Sequence, residues 1–493
     1  MIPHAQTWTG AGAAAAAGAL AVAGFAPLGL YAALVLALAA LVHLQLRARS
    51  AAHAAGLGFA FGLGFFGAGV SWVYVSLERF GGMPAPLAAL ATALFCALLA
   101  LFPAGAAWAE ARLARRAAPA LRATLAFPAA WVLAEWLRGW VLGGFPWLAI
   151  GYAATDDALA GFAPLGGVYA VSLALACAAG LARCAAAGER RALALAALAL
   201  LLATGYALRR VEWTVGSGVP LTVSLVQGNV AQELKFSEER YERILETYAA
   251  LAEASRARLI VLPETALPRF LDRVEPAYLE RLAAAARRNR GDLLLGVPTR
   301  SGSRFYNSVV SLGVSPVQVY HKVHLVPFGE FTPPGFAWAA RILSIPLSDF
   351  SRGAPGQRPL AVAGERVAVN ICYEDAFGAG IRRALPEATL LVNVSNVAWF
   401  GDSLAPAQHL QIARMRALES GRWVLRAANT GLSAAIAPDG SVRATMPQFA
   451  EGRVETEVRG HTGATPWVRG GDLPVVLLAA LALALAALRA RRR

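Results

Sequence analysis

The sequence predicts a polytopic α-helical membrane domain joined to an α/β domain, and three observations carry that prediction. Hydrophobic residues make up 57% of the 493-residue chain and charged residues only 15%, with a mean hydropathy of +0.50, which is not the composition of a soluble protein. The apolar residues are concentrated before position 210 and in one run ahead of the C-terminus, in stretches that suit a ~30 Å hydrocarbon layer crossed by about 20 residues each. Between them, residues 211–470 alternate short Val/Ile/Leu runs with helical patterns, which argues α/β rather than all-β.

Taken in order, residues 1–210 are expected to hold seven transmembrane helices, near 9–25, 27–46, 55–77, 84–110, 122–141, 158–183 and 190–208. The first two are separated only by the tight turn Phe25-Ala26-Pro27-Leu28. The first run has no strongly basic stretch before it and continues into more apolar sequence, so it does not read as a cleaved signal peptide. An eighth span, near 473–488, falls in residues 471–493 together with a basic tail.

A net charge of +14 raises the question of nucleic acid. The arginines, however, cluster at the ends of apolar runs and form no stripe with interleaved aromatics, which excludes a nucleic-acid partner and marks membrane topology. Arg47, Arg49, Arg112, Arg115, Arg116, Arg122, Arg183, Arg190, Arg191, Arg489, Arg491, Arg492 and Arg493 fall on one side, against Arg79, Arg138, Arg209 and Arg210 on the other. The positive-inside rule then puts both termini in the cytoplasm and residues 211–470 across the membrane.

Within that insert, strands are expected at Leu221–Val226, Leu259–Leu262, Leu293–Val297, Val367–Ile371, Leu390–Val394 and Trp423–Arg426, and helices at Glu238–Arg256, Tyr278–Arg288 and Ala405–Ser420. Two further pairs, Ser308–Leu312 with Val317–His321 and Leu432–Ile436 with Ser441–Thr445, are joined by short turns carrying Gly-Val-Ser-Pro and Pro-Asp-Gly.

Three strand-to-loop junctions each deliver a chemically useful residue: Leu262-Pro263-Glu264-Thr265, Tyr320-His321-Lys322-Val323, and Ile371-Cys372-Tyr373-Glu374-Asp375. Of four cysteines, Cys96, Cys177 and Cys184 lie in or beside apolar segments, and Cys372 has no sequence-local partner for a disulfide or a metal. A lone strand-end cysteine is more often a small buried hydrophobe, and single loop charges are usually solvated. Three such residues in one domain make a coherent acyl-transfer set. Glu264 can take the thiol proton and later return it to a leaving group. Lys322 can stabilise thiolate and oxyanion, and backbone N–H groups after Cys372 offer a second oxyanion donor.

These residues resemble the nitrilase (carbon–nitrogen hydrolase) superfamily, through Leu-Pro-Glu-Thr at 262–265, the stretch from His321 through Lys322, His324 and Pro327 to Glu330, and Ile-Cys-Tyr-Glu-Asp at 371–375. With the flanking spans, the chain resembles its membrane-embedded branch, the apolipoprotein N-acyltransferases. That likeness extends to Ser71-Trp72-Val73-Tyr74, Gly144-Phe145-Pro146-Trp147, Val226-Gln227-Gly228-Asn229, Ser395-Asn396 and Ala398-Trp399-Phe400-Gly401-Asp402-Ser403. The resemblance implies an αββα sandwich for the insert, with Glu264 as base, Lys322 as oxyanion stabiliser, Cys372 as nucleophile, and supporting roles for Glu330, Tyr373 and Glu374. It also implies a phospholipid acyl donor, typically phosphatidylethanolamine, a thioester acyl-enzyme, and an apolipoprotein whose diacylglyceryl-cysteine amino group is the acceptor, in the bacterial inner membrane with the catalytic domain periplasmic. The chain departs from the family pattern at Val397, where an acidic residue is common, and at Phe236, where tryptophan is common.

Physical chemistry supports a lipid-facing enzyme independently, because long acyl chains leave a bilayer at about 0.8 kcal/mol per CH₂. Trp399 and Phe400 are either core aromatics or the lining of a lipid entrance, which Phe236 would share. Glu135 and Arg138, three apart near a span end, read first as a local ion pair and second as contacts for a substrate headgroup. His321 and His324 flank a lysine with no companion ligand motif, so no metal is expected, and no phosphate loop signals a cofactor. Nothing demands more than a monomer. The alternatives are a membrane-anchored amidase acting on a soluble amide, and a transporter, against which the missing internal repeat argues.

Overall fold

The computed structural model describes residues 3–332 and 349–492, with side chains from residue 10 onward; Arg493 of the topology count lies outside the described residues. Two compact units emerge. One comprises Met1–Tyr74, Pro86–Glu212 and Arg469–Arg493, and the other Val75–Ala85 with Trp213–Val468.

The first unit is helical. Among the described residues five helices are long and apolar enough to cross a membrane: Ala51–Gly69, Ala85–Ala114, Ala158–Ala186, Arg191–Leu208 and Leu473–Arg491. Gly10–Gly24 and Tyr31–Leu46 are apolar but shorter. The span expected near 122–141 is helical without a break from Pro119 to Arg138, a π-helical turn at Arg122–Ala126 running directly into Phe127–Arg138, which carries Pro128 in its first turn. Glycine governs the closest packing. A Cβ on Gly18 would lie 2.0 Å from the Phe61 carbonyl oxygen and one on Gly64 1.9 Å from that of Ala15, so Pro3–Ala21 and Ala51–Gly69 meet backbone to backbone. Arg122 and Glu110, both buried, form a two-pronged ion pair at 2.7 and 2.9 Å.

The second unit holds two six-stranded sheets. The first runs β12 (Gly452–Gly463), β1 (Thr214–Gln227), β2 (Leu259–Val261), β3 (Asp292–Ser301), β4 (Arg304–Gly313), β5 (Val319–His321). The second runs β11 (Val442–Thr445), β10 (Ala434–Ile436), β9 (Val424–Ala428), β8 (Leu390–Ser395), β7 (Glu365–Ile371), β6 (Leu360–Val362). Each sheet has a parallel centre, β1-β2-β3 and β7-β8-β9, with antiparallel edges.

Period-two alternation decides the layering. Leu221, Val223 and Leu225 of β1 face Val367, Val369 and Ile371 of β7 within one buried cluster between the sheets. The residues of opposite phase, Val226, Ile260, Leu293 and Leu295, pack outward against helices Glu238–Glu253 and Pro276–Arg288. On the second sheet Ala368, Leu391 and Val424 do the same with Ala413 and Ala417 of helix Ala405–Ser420. The result is an αββα sandwich.

Strands β6 and β12 lie outside the sequence expectation. β12 alternates Val454, Thr456 and Val458 with Arg453, Glu455 and Glu457, and its charged face hides a long edge strand that pairs antiparallel with β1 from Thr214↔Gly463 to Gln227↔Gly452. The early segment Val75–Ala85 joins this unit through a hydrogen bond from Ser76 Oγ to the Trp399 carbonyl (2.7 Å), an edge-on contact of Phe80 with the Trp399 ring (6.0 Å between centroids), and an Arg79–Glu233 ion pair at 2.9 Å.

Candidate active site

Three strands end where Glu264, Lys322 and Cys372 begin their loops. β2 stops at Val261, and Pro263, which has no N–H, turns the chain so that Glu264 enters the interior, followed by Thr265 at φ +48°. β5 stops at His321, and the Lys322 N–H still bonds the Asn307 carbonyl of β4 at 2.9 Å. β7 stops at Ile371, and Cys372 sits at φ +52°, in the left-handed region that a residue with a Cβ adopts at a cost. All three side chains are buried.

Glu264 is held on both oxygens. Its Oε1 accepts from Asn307 Nδ2 (2.8 Å) and Lys322 Nζ (3.3 Å), and its Oε2 from the Asn396 N–H (2.8 Å). Glu330 is its counterpart: Oε1 accepts from the same Lys322 Nζ (2.8 Å) and Asn307 Nδ2 (2.8 Å), and Oε2 from the Val326 N–H (2.8 Å). Asn307 and Lys322 thus bridge two carboxylates. Burial alone would raise the Glu264 carboxyl, but Lys322, Asn307, Lys235 and the Asn396 N–H outweigh it and hold it below the usual carboxylate range. Burial likewise opposes the Lys322 charge, yet Glu264 and Glu330 keep the ammonium well above its ordinary value.

The thiol moves the other way. Burial pushes Cys372 up, the Glu264 charge adds to that, and Lys322 only partly offsets it. At neutral pH the site therefore contains thiol and carboxylate rather than thiolate and acid, the arrangement in which a base must remove the proton as the nucleophile attacks.

Behind the nucleophile, its carbonyl oxygen accepts from Asn393 Nδ2 and from His409 Nε2, each at 3.2 Å. Arg426 can only donate, so its Nη2 contact with His409 Nδ1 (2.9 Å) makes Nδ1 the acceptor and leaves the proton on Nε2, which also reaches Asp375 Oδ1 at 2.7 Å. Burial first, and then the neighbouring Arg426 charge, keep that imidazole below its ordinary value. Glu374 ties the nucleophile loop to the lysine loop: Oε1 accepts from the Val323 and His324 N–H groups (2.7 and 3.0 Å), and Oε2 from the Ile371 N–H and the Tyr320 hydroxyl (2.8 and 3.0 Å).

The other expected residues spread out. Tyr373 packs its ring edge-on against Phe377 at 5.0 Å, and His324 stacks on Phe377 at 3.5 Å. His321 instead stacks on Tyr306 (4.3 Å) and bonds Ser308 Oγ through Nδ1 (2.8 Å), so the two histidines have separate surroundings. Trp399 and Phe400, in the short 3-10 helix Val397–Phe400, and Phe236, on a loop of the same unit, are half-buried, while Val397 is buried. Glu135 and Arg138 belong to the helical unit, where Glu135 accepts from Trp131 Nε1 and the Ile150 N–H and Arg138 donates to the Phe145 and Trp147 carbonyls.

Sequence reading missed Asn307, Asn393, His409, Arg426 and Lys235. Lys235 is 1% exposed and donates from Nζ to the Glu264 carbonyl at 3.1 Å. Burial lowers its ammonium to about 8, with Glu264 and Cys372 pulling it back up. Its only signal in the sequence is a lysine in a loop that the Val226–Asn229 motif begins.

A carbon–nitrogen hydrolase is the class that these two sheets and this buried carboxylate–ammonium–thiol cluster define, and the carbon–nitrogen hydrolase family matches residues 222–466. Residues 17–181 match the apolipoprotein N-acyltransferase N-terminal domain. The apolipoprotein N-acyltransferase of Nitrosomonas europaea is 48% identical over 438 residues, covering 87% of this chain and 88% of the relative. That of Ralstonia nicotianae is 48% identical over 441 residues, covering 87% and 84%. The chain belongs to the apolipoprotein N-acyltransferase family, and is an acyltransferase. Among solved structures, the C. elegans NitFhit protein is similar with a TM-score of 0.40 and 18% identity, covering 50% of this chain and 62% of that one.

Proposed function

We propose that the enzyme transfers a fatty acyl chain from a membrane phospholipid, through a thioester on Cys372, to the amino group of the diacylglyceryl-cysteine of an apolipoprotein. The observation that carries this reading is the buried thiol at a strained strand end, in the field of an ionised Glu264 whose oxygen is bonded to the Lys322 ammonium. Family membership and the apolar helices support a lipid substrate.

In the first half-reaction Glu264 takes the thiol proton while sulfur attacks the ester carbonyl carbon of the phospholipid. Lys322 faces the oxyanion that forms. The ester C–O bond then breaks, the leaving alkoxide takes the proton from Glu264, and lysophospholipid departs. In the second, the acceptor amine attacks the thioester carbon and passes a proton to Glu264. The C–S bond breaks, and the sulfur recovers that proton as the amide product leaves. Glu330 orients Lys322, and Glu374 and Tyr373 hold the loops on either side of the nucleophile.

The finer features belong to the same proposal: phosphatidylethanolamine as donor, a monomer, and eight spans in residues 1–210 and 471–493. Residues 211–470 form the catalytic domain on the periplasmic face of the inner membrane. Trp399, Phe400 and Phe236 line the lipid entrance, and Glu135 and Arg138 contact a headgroup. Intact-protein mass spectrometry tests the core of it. Incubation with phosphatidylethanolamine alone should add one fatty-acyl mass to the peptide containing Cys372, and only an amine acceptor should discharge it efficiently. An unmodified Cys372 in an active enzyme overturns the covalent route, and release of free acid from a soluble amide would make it an amidase.

A further inference from the structure

The charges of the reaction centre do not balance without a residue that the reading above leaves out. Glu264 and Glu330 share the single ammonium of Lys322. The neighbouring Asp375 is matched by Arg426, which also donates to His409, and Glu374 is met by backbone N–H groups and the Tyr320 hydroxyl. Of the Glu264 and Glu330 pair, one carboxylate charge is left without a cation in a buried space where the thiol must also become negative. Uncompensated buried charge is expensive, and the usual outcome is that the group takes up a proton.

Lys235 stands where that charge is needed. It is fully enclosed, and among the described residues its ammonium donates to a neutral carbonyl, that of Glu264 itself, although an ammonium carries three donors. Its loop is fixed on the same residues that hold the base. Gln232 Oε1 accepts from Asn396 Nδ2 at 2.8 Å, and the Asn396 N–H is the donor to Glu264 Oε2. Asn429 Nδ2 closes the network on Asn396 Oδ1 at 3.0 Å and on the Val230 carbonyl at 2.7 Å.

We infer that Lys235 is a positioning residue for the acyl-transfer reaction, the second cation of the centre, whose charge keeps the Glu264 carboxylate ionised and ready to accept the thiol proton. The inference rests on the reading of Glu264 as base. The groups that face this pair are Lys322, Glu330, Cys372 and Arg426, and each of them remains in the variants below. The ammonium, at about 8, is protonated at neutral pH and keeps its charge through the range in which Glu264 must act. Removing it takes away one of the charges that offset burial, so Glu264 holds a proton to higher pH.

The test is the pH dependence of thioester formation by the full-length enzyme in phosphatidylethanolamine micelles without acceptor, followed by intact mass. Lys235→Met fills the same volume without charge, and Lys235→Gln keeps a donor for the Glu264 carbonyl without charge. Both should move the acid limb of the profile up by about one pH unit, the low end of what a nearby opposite charge does, which is a tenfold lower rate on that limb. Lys235→Arg should return the limb to its wild-type position. An acid limb that stays in place in both neutral variants overturns the inference, whatever happens to the maximum rate. Glu264→Gln separates the two ideas: wild-type acylation there would refute Glu264 as the base, whereas loss of acylation there with unmoved limbs at Lys235 refutes the role of the lysine alone.

Discussion

Replacing Glu264 by glutamine keeps the shape of the side chain and removes its charge, and the surrounding donors allow the effect to be worked out. The amide oxygen of glutamine can still accept from Asn307 Nδ2 and Lys322 Nζ, but its NH₂ then faces the Asn396 N–H, which now points at 2.8 Å toward an acceptor. One buried donor is left unmatched, costing about 1–3 kcal/mol of stability. A lost general base slows the step by about 10²–10⁴-fold, or roughly 3–5 kcal/mol of barrier at 1.36 kcal/mol per tenfold. The thiol moves the opposite way, because one charge that holds Cys372 up has gone while Lys322 remains. Thioester formation in the variant should therefore be slow at pH 7 and rise about tenfold per pH unit as solvent hydroxide takes over the proton. Single-turnover acylation by phosphatidylethanolamine, followed by intact mass from pH 6 to about 9, measures both. A rate within a few-fold of wild type with an unchanged profile would refute the assignment of the base.

Cys372→Ala should remain folded, since alanine keeps the Cβ already accommodated at φ +52°, and should show no acyl adduct; an adduct elsewhere on the chain would displace Cys372 as nucleophile. The folded-state value of Lys235, about 8, lies below its ordinary 10.5, so the unfolded chain binds more protons between those values and stability should rise with pH across that window. The rise should approach ~3 kcal/mol at about 1.36 kcal/mol per unit, and Lys235→Met should flatten it in thermal melts from neutral to alkaline pH. Arg122→Met strands the buried Glu110 carboxylate and should destabilise the helical unit by about 3–5 kcal/mol, while Arg122→Met with Glu110→Leu should recover most of that in detergent melts. Equal melting of the single and double variants would count against the pair.

Glu264, Lys322 and Cys372 were legible because each breaks an apolar alternation at the place where a strand must end, and a polar residue there has few reasons to exist other than a turn or a site. The inner core was legible for the same reason: Val367, Val369 and Ile371 announce a buried face by their spacing. Asn307 was not, because an asparagine within the mixed run Arg304–Gly313 looks like any solvent-facing strand position until the sheet turns it on two carboxylates. Lys235 was hidden more thoroughly. It sits in an unpatterned loop between Ala231 and Ser237, where the ordinary expectation is a hydrated charge, and only the packing of that loop on Asn396 and Asn429 buries it. His409 and Arg426 lie within an expected helix and strand, yet local periodicity says nothing about which residue across a sheet a buried polar group will meet.

The short strap Val75–Ala85 also has a practical implication. The hydroxyl that pins the Trp399 backbone comes from a serine 323 positions upstream, and the ring beside that tryptophan and the arginine on Glu233 come from the same few residues. A soluble fragment begun at Trp213 would keep both sheets but discard this brace, and a chimera that exchanges hydrolase domains between relatives would mismatch it. The unit has to be transplanted in two pieces.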